Sequence, residues 1–145
     1  MGYSNAERTS YSFGGFTVAT AGQVRGIPRM PGKRFCRIVD IVGVVTTAVV
    51  ATSTAAKIGI GDGTTATKFA NQTMASNAQA IGATNNLRTE DGRVAAYATS
   101  APGFIDWDND GDGGAALTKL VLTPSVGVGG SVAGVYDATV VIDWW

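Results

Sequence analysis

The sequence predicts an all-β fold: a jelly-roll-like β-sandwich with an extended N-terminal arm. Short segments of alternating apolar and polar residues are separated by Gly-rich turns, and helical periodicity is almost absent. The composition is 45% hydrophobic and 15% charged, which provides enough apolar surface for a buried core. At 145 residues, the chain has the length of one domain. Many short strands with Gly-rich turns favour a sandwich or a jelly roll.

The predicted strands are β-branched segments in which apolar side chains share one face. The longest of them, residues 34–50, loses its apolar phase between Asp40 and Gly43, which predicts a bulge or a bend. Residues 65–75 are interpreted as two short helical turns, and residues 127–131 as a flexible hairpin connection. The predicted strands are residues 34–50, 55–61, 93–99, 117–124 and 137–145.

Residues 1–22 are polar and rich in Gly, Ser and Thr around scattered aromatic side chains. This composition predicts an extended arm outside the core, so the domain division is an arm over 1–22 and a β-sandwich over 23–145. Aromatic side chains on an unpacked segment invite docking to another protein. We therefore predict Tyr11, Phe13 and Phe16 as interface residues.

The charges are distributed unevenly along a chain whose formal net charge is zero. Residues 1–40 contain six Lys or Arg against two Asp or Glu, which predicts a basic arm on an acidic body. A neutral chain gains no long-range attraction to nucleic acid, so no nucleic-acid partner is predicted. No apolar run approaches the roughly 18 residues of a membrane span, and residues 1–20 lack the apolar core of a signal peptide. We expect a protein made in a cytoplasm, with no membrane partner.

The segment 137–145 ends in two tryptophans that alternation places on opposite faces. Trp144 shares its face with Val140 and Ile142, so we expect it in the core. Trp145 lies on the other face and must be exposed or covered by a partner. Because Trp is enriched at protein interfaces, Trp145 is the main predicted interface residue.

The segment 106–112 carries aspartates at alternate positions and matches the start of a calcium loop. Counted from Asp106, the twelfth position is Leu117, and counted from Asp108 it is Lys119. Neither frame supplies the closing glutamate of an EF-hand. Asp and Gly also form tight turns. The segment is therefore interpreted as a polar turn, with a shorter calcium loop as the alternative, and no metal or cofactor is predicted.

Enzyme signatures are missing from the sequence. The chain has no histidine, so it lacks the imidazole base of a Ser or Cys nucleophile, and it cannot supply the usual ligands of zinc. The single cysteine, Cys36, is expected to be a small buried hydrophobe. The glycine-rich segments 59–64 and 129–134 each miss a required Gly, at Thr64 and Ala133. These observations predict a protein that is not an enzyme.

Three features together resemble a known group of proteins. They are the Gly/Ser/Thr-rich arm, the segment "KIGIGDGTTA" (57–66), and the closing hairpin "GSVAGVYDATVVIDWW" (130–145). Over residues 30–145, the chain is similar to the small jelly-roll capsid decoration (cement) proteins of tailed bacteriophages. The resemblance implies a virion structural protein, assembled in the host bacterial cytoplasm. It further implies homotrimers bound to the major capsid protein on the outer capsid, with the arm reaching neighbouring subunits.

Two other functions fit a β-sandwich of this kind. The first is a calcium-assisted carbohydrate-binding module, with a calcium site at Asp106–Asp112 and sugar platforms at Tyr97, Trp107 and Trp145. The second is a phage tail or baseplate component. Oligomeric state separates a cement protein, which assembles, from a binding module, which acts as a monomer.

Overall fold

The computed structural model describes residues 5–51, 54–86, 104–127 and 132–145. Within these residues the chain forms strands and one turn of 3-10 helix at Asp112–Gly114. The strands are β1 (Glu7–Thr17), β2 (Arg25–Pro28), β3 (Phe35–Val50), β4 (Ala56–Gly61), β5 (Ala70–Ala75), β6 (Thr84–Asn86), β7 (Ile105–Asp106), β8 (Lys119–Pro124) and β9 (Ala133–Trp144).

The strands form two antiparallel sheets that pack as a sandwich. Sheet A has the order β1-β9-β3-β6, with β7 also paired to β3, and sheet B has the order β2-β8-β4-β5. The pairs are nested along the chain, since β4 pairs with β5, β3 with β6, β2 with β8 and β1 with β9. Successive nested pairs alternate between the two sheets, which is the strand order of an eight-stranded jelly roll with β7 added. The predicted all-β, jelly-roll-like sandwich is confirmed.

The core between the sheets is built around two aromatic stacks. Trp107 stacks on Trp144 at a centroid distance of 5.6 Å, and Phe16 stacks on Tyr136 at 5.4 Å. All four rings are fully buried. Trp107 Nε1 donates a hydrogen bond to Cys36 Sγ at 3.2 Å. Burial raises the pKa of the Cys36 thiol to about 12, which keeps it protonated, as expected for a buried structural cysteine.

Most of the predicted strands agree with the observed ones. The segment 34–50 is β3, and its pairing with β9 shifts between Ile38 and Asp40, which confirms the bulge. The segments 55–61, 117–124 and 137–145 correspond to β4, β8 and β9, although β9 begins earlier, at Ala133. The predicted strand 93–99 lies outside the described residues, as does most of the predicted connection 127–131.

The helical interpretation of residues 65–75 is wrong. Residues 70–75 form β5, which pairs with β4. Phe69 and Met74 are buried, as predicted. Met74, however, is buried because it lies on the inward-facing side of a strand, and not because it lies on a helical turn. The polar residues Asn71, Gln72 and Thr73 hid this alternation in the sequence.

The expectation that residues 1–22 stay outside the core is wrong for the part that the structure describes. Glu7–Thr17 is an edge strand of sheet A, paired with β9 along its length. Phe16 and Val18 are fully buried. The reason is that a strand of Ser, Thr and Gly with aromatic residues at alternate positions still presents one apolar face to the sandwich.

A loop of residues 62–69 lies directly against the outer face of sheet B. It crosses β4 at Gly59 and Gly61, where a Cβ atom would lie 2.6 Å from the Ala66 carbonyl oxygen and closer still to the Thr65 carbonyl oxygen. The two glycines alternate with the buried Ile58 and Ile60, which face the core. The alternation in "KIGIG" (57–61) therefore places the isoleucine side chains in the core and lets the backbone of the loop contact the glycines on the outer face.

Asp62 holds this loop in place. Its carboxylate accepts hydrogen bonds from Thr65 N at 2.7 Å, Thr64 N at 2.9 Å and Lys68 Nζ at 2.9 Å. The Asp62 side chain is only 1% exposed. Burial by itself would raise the pKa of Asp62, but these hydrogen bonds outweigh it and lower the pKa to about 2.

We expect Asp62→Asn to destabilise the protein by about 2 kcal/mol at pH 6, because the pKa shift represents that amount of folding free energy. The folded-state pKa lies below the unfolded value. The contribution is therefore present above about pH 4 and is lost as the pH falls towards 2. Thermal melting of both proteins from pH 6 to pH 2 should show the two curves converging at low pH. A difference in Tm that does not change with pH would contradict this assignment.

Candidate interaction surface at the end of sheet A

Exposed aromatic side chains cluster where the first residues of β3 meet the last residues of β9. Trp145 N donates a hydrogen bond to Phe35 O at 2.9 Å, and Phe35 N donates to Trp145 O at 3.2 Å. Residues directly opposite in an antiparallel pair share a face, so both rings lie on the outer face of sheet A. The Phe104 ring lies 5.0 Å from the Trp145 ring. Phe35 is 37% exposed and Phe104 is 44% exposed, and Trp145 is half-buried.

Two arginines complete this cluster. The Arg37 guanidinium lies 5.8 Å from the centre of the Trp145 ring, and the Arg34 guanidinium lies 5.1 Å from the centre of the Phe35 ring. Both distances are within the range of a cation–π contact. We call this set of five residues the aromatic–arginine surface: Arg34, Phe35, Arg37, Phe104 and Trp145. Trp and Arg are the residues most enriched at the energetic centres of protein interfaces.

A buried carboxylate orders the neighbouring charges. Asp143 lies on the same face of β9 as Trp145, and its side chain is 7% exposed. Arg8 donates hydrogen bonds to both oxygens of the Asp143 carboxylate, at 2.7 and 2.9 Å. Arg37 approaches the same carboxylate at 3.7 Å. The hydrogen bonds from Arg8 lower the pKa of Asp143 against the opposing effect of burial. Arg8 thus ties the edge strand β1 to β9 next to the aromatic–arginine surface.

The aspartate segment is a hydrogen-bonded turn held by arginines. Asp106 accepts hydrogen bonds from Arg34 Nε at 3.0 Å and Nη2 at 2.9 Å, and these bonds lower the pKa of Asp106. Asp108 pairs with Arg29 at 2.8 Å. Asp110 Oδ2 accepts a hydrogen bond from Asp106 N at 2.7 Å. Guanidinium groups therefore supply the positive charge that a calcium ion would supply in the alternative interpretation.

Within the part of the chain that the structure describes, no group of three or more acidic or cysteine side chains is placed to hold a metal ion. We expect a chelator to shift the Tm of the purified protein by no more than about 1 °C. A calcium ion at 100 times its dissociation constant would contribute about 2.7 kcal/mol and shift the transition by several degrees. Differential scanning calorimetry with and without EDTA would measure this, and a shift of several degrees would restore the calcium interpretation.

The predicted interface residues lie in three different environments. Trp145 belongs to the aromatic–arginine surface. Tyr11 and Phe13 are half-buried on the inner side of the edge strand β1, packed against the core. The prediction for Phe16 is wrong, because its ring is fully buried against Tyr136.

Of the three residues proposed as sugar platforms for a carbohydrate-binding module, one is buried and one lies outside the described residues. Trp107 is fully buried between the sheets, so it cannot stack on a sugar. Tyr97 lies outside the described residues.

Sequence reasoning missed Phe35 and Phe104 as members of the aromatic–arginine surface. Phe35 precedes the buried Cys36, and Phe104 precedes the buried Ile105, so alternation along each strand could have placed both rings outside.

No protein-family model matches the chain, and no curated protein matches it. Among solved structures, the chain is similar to a chain of the cyanophage Pam1 capsid asymmetric unit, at 10% sequence identity and a TM-score of 0.49. The match covers 99% of this chain and 89% of the other. In the described residues, no helix is long and apolar enough to cross a membrane.

Proposed function

We propose that this chain is a non-enzymatic virion structural protein that binds and stabilises the outer surface of a bacteriophage capsid as a decoration, or cement, protein. The observation that carries the proposal is the aromatic–arginine surface, an exposed cluster with the composition of a protein interface. The jelly-roll sandwich and the sequence resemblance over residues 30–145 support the same role. The proposed partners are the major capsid protein and further copies of this chain in a homotrimer, and the proposed location is the virion.

The contacts of Trp145 favour a protein partner over a glycan. A sugar platform presents an open ring face, but the Trp145 ring has Arg37 over it and Phe104 against it at an interplanar angle of 55°. These neighbours leave an amphipathic surface of rings and guanidinium groups. Such a surface fits another protein surface that brings both apolar and anionic groups.

Trp145 is proposed to lie at the contact between copies, and we expect Trp145→Ala to dissociate the assembly while each subunit stays folded. Removing a buried interface Trp commonly costs about 2 kcal/mol or more. Trp144→Ala is the matched comparison, because Trp144 is fully buried, stacks on Trp107 and donates from Nε1 to Thr9 Oγ1 at 2.8 Å. We expect it to lower the Tm instead. Size-exclusion chromatography with light scattering, together with thermal melting, separates the two effects.

The capsid role is tested with capsids of the phage that encodes this chain, prepared without it. We expect the purified protein to co-sediment with these capsids and to raise the temperature at which they open. Tyr11 and Phe13 are half-buried on the edge strand β1, and the parts of their rings that remain accessible are proposed as the contacts to the capsid protein. If the wild-type protein binds glycans as a monomer and does not bind capsids, the carbohydrate-binding function replaces the one proposed here.

A further inference from the structure

We infer that copies of this chain bind one another through a contact between Arg37 of one copy and Asp112 of the next, beside the Trp145 ring. The inference rests on the proposed self-association and names the two surfaces that meet. Three-fold symmetry requires two different, complementary surfaces on each subunit, because only a two-fold contact pairs a surface with itself. The aromatic–arginine surface is the first of the two.

Among the five residues of the first surface, two have guanidinium side chains and none has an acidic side chain. Arg37 has the weakest pairing among its arginines, since it lies 3.7 Å from Asp143, whose two oxygens are already held by Arg8 at 2.7 and 2.9 Å. The Arg37 side chain is 43% exposed. This surface therefore presents a positive charge beside exposed rings, and its complement is anionic.

Asp112 has the properties that the complement requires. It begins an exposed loop, residues 112–116, whose other members are Gly and Ala. Asp106 and Asp108 pair with arginines, whereas Asp112 pairs with no lysine or arginine among the described residues. Its carboxylate is thus accessible to a guanidinium of another molecule, which can bind it in a bidentate manner.

The two surfaces lie at the same end of the sandwich, and the segment of residues 106–112 connects them, since Arg34 of the first surface pairs with Asp106 and Asp108. The aromatic–arginine surface is on the outer face of sheet A. The Asp112 loop starts on the side of sheet B, because Lys68 Nζ binds Asp110 O at 2.8 Å and Gly111 O at 3.1 Å. Lys68 belongs to the loop that lies on the outer face of sheet B. The Arg37 side chain and the Asp112 loop are thus different parts of one subunit, as a heterologous contact around a three-fold axis requires.

The test is a charge exchange in the full-length protein, read by light scattering and sedimentation equilibrium. We expect Arg37→Asp and Asp112→Arg each to weaken association of the subunits by about tenfold or more, as for close interfacial charge pairs. The double variant, Arg37→Asp with Asp112→Arg, should recover most of the wild-type association. Lys57→Asp, a charge reversal at an exposed position of β4 at the end of the sandwich opposite to the Asp112 loop, is the control and should leave association unchanged.

Because Arg37→Asp also places a carboxylate near Asp143, the milder pair Arg37→Gln and Asp112→Asn provides a second measurement with little risk to folding. We expect both to weaken association, with melting temperatures close to wild type. If the single exchanges dissociate the assembly and the double variant does not restore it, the Arg37–Asp112 pairing is wrong. Single exchanges that leave association unchanged overturn it as well. In either case, binding of the wild-type protein to capsids would leave the proposed function standing.

Discussion

Deletion of residues 1–22 is expected to abolish the cooperative unfolding transition of the protein. The deletion removes β1, and with it the buried Phe16 and Val18 and the stack of Phe16 on Tyr136. Loss of a single buried Phe commonly costs about 3–5 kcal/mol, and the total stability of a domain is only about 5–15 kcal/mol. The deletion would also expose the full length of β9 as a new sheet edge.

The measurement is thermal melting followed by circular dichroism. A shorter deletion of residues 1–5 is the control, because it stops before β1 begins at Glu7. We expect the control to melt as the wild-type protein does. A truncated protein lacking residues 1–22 that still melts cooperatively near the wild-type Tm would show that β1 is dispensable, as the arm interpretation required.

Gly61→Ala is expected to destabilise the protein by about 3 kcal/mol or more, the upper part of the range for overpacking. The added Cβ would overlap the Thr65 carbonyl oxygen and lie 2.8 Å from its carbon. These are backbone atoms of the 62–69 loop, so no side-chain rotation relieves the overlap. The loop would have to leave the sheet and give up the hydrogen bonds between Asp62 and the Thr65 amide and between Asp62 and Lys68.

Gly26→Ala is the matched control in the same sheet. Its added Cβ would lie 3.2 Å from Lys119 Cδ, the flexible part of an exposed side chain that can move aside. We expect Gly26→Ala to change the Tm by no more than about 2 °C and Gly61→Ala to lower it by on the order of 10 °C. Equal effects for the two variants would mean that the loss of glycine, and not the contact with the loop, determines the cost.

The sequence predicted the strands that are rich in Val, Ile and Leu and missed those in which other residue types alternate. β3, β4, β8 and β9 are rich in Val, Ile and Leu and were recognised. β1 alternates Ser with Thr, Tyr and Phe, and β5 contains Asn, Gln and Thr, so neither has a strong apolar signal. β6 and β7 are only three and two residues long and depend on pairing with β3.

Of the aromatic residues in the aromatic–arginine surface, only Trp145 was predicted from the sequence. Trp145 followed from alternation at the end of one strand, and its position on the outer face agrees with that prediction. Phe35 joins it because β3 and β9 run antiparallel, which brings the first residues of β3 beside the last residues of β9. Phe104 joins it because β7, which it directly precedes, pairs with the first residues of β3. Residue spacing describes a single strand, whereas this surface depends on which strands become neighbours.

The nested pairing of the jelly roll also sets the order in which the protein can fold. The outermost pair, β1 with β9, joins positions as distant as Arg8 and Asp143, which are 135 residues apart. On a ribosome, β1 emerges first but has no partner until β9 has been made, so sheet A closes last. Proteins dominated by such distant contacts fold in about milliseconds to seconds. Until then, Phe16 has no Tyr136 to stack on, and the newly made chain exposes this ring to other chains and to chaperones.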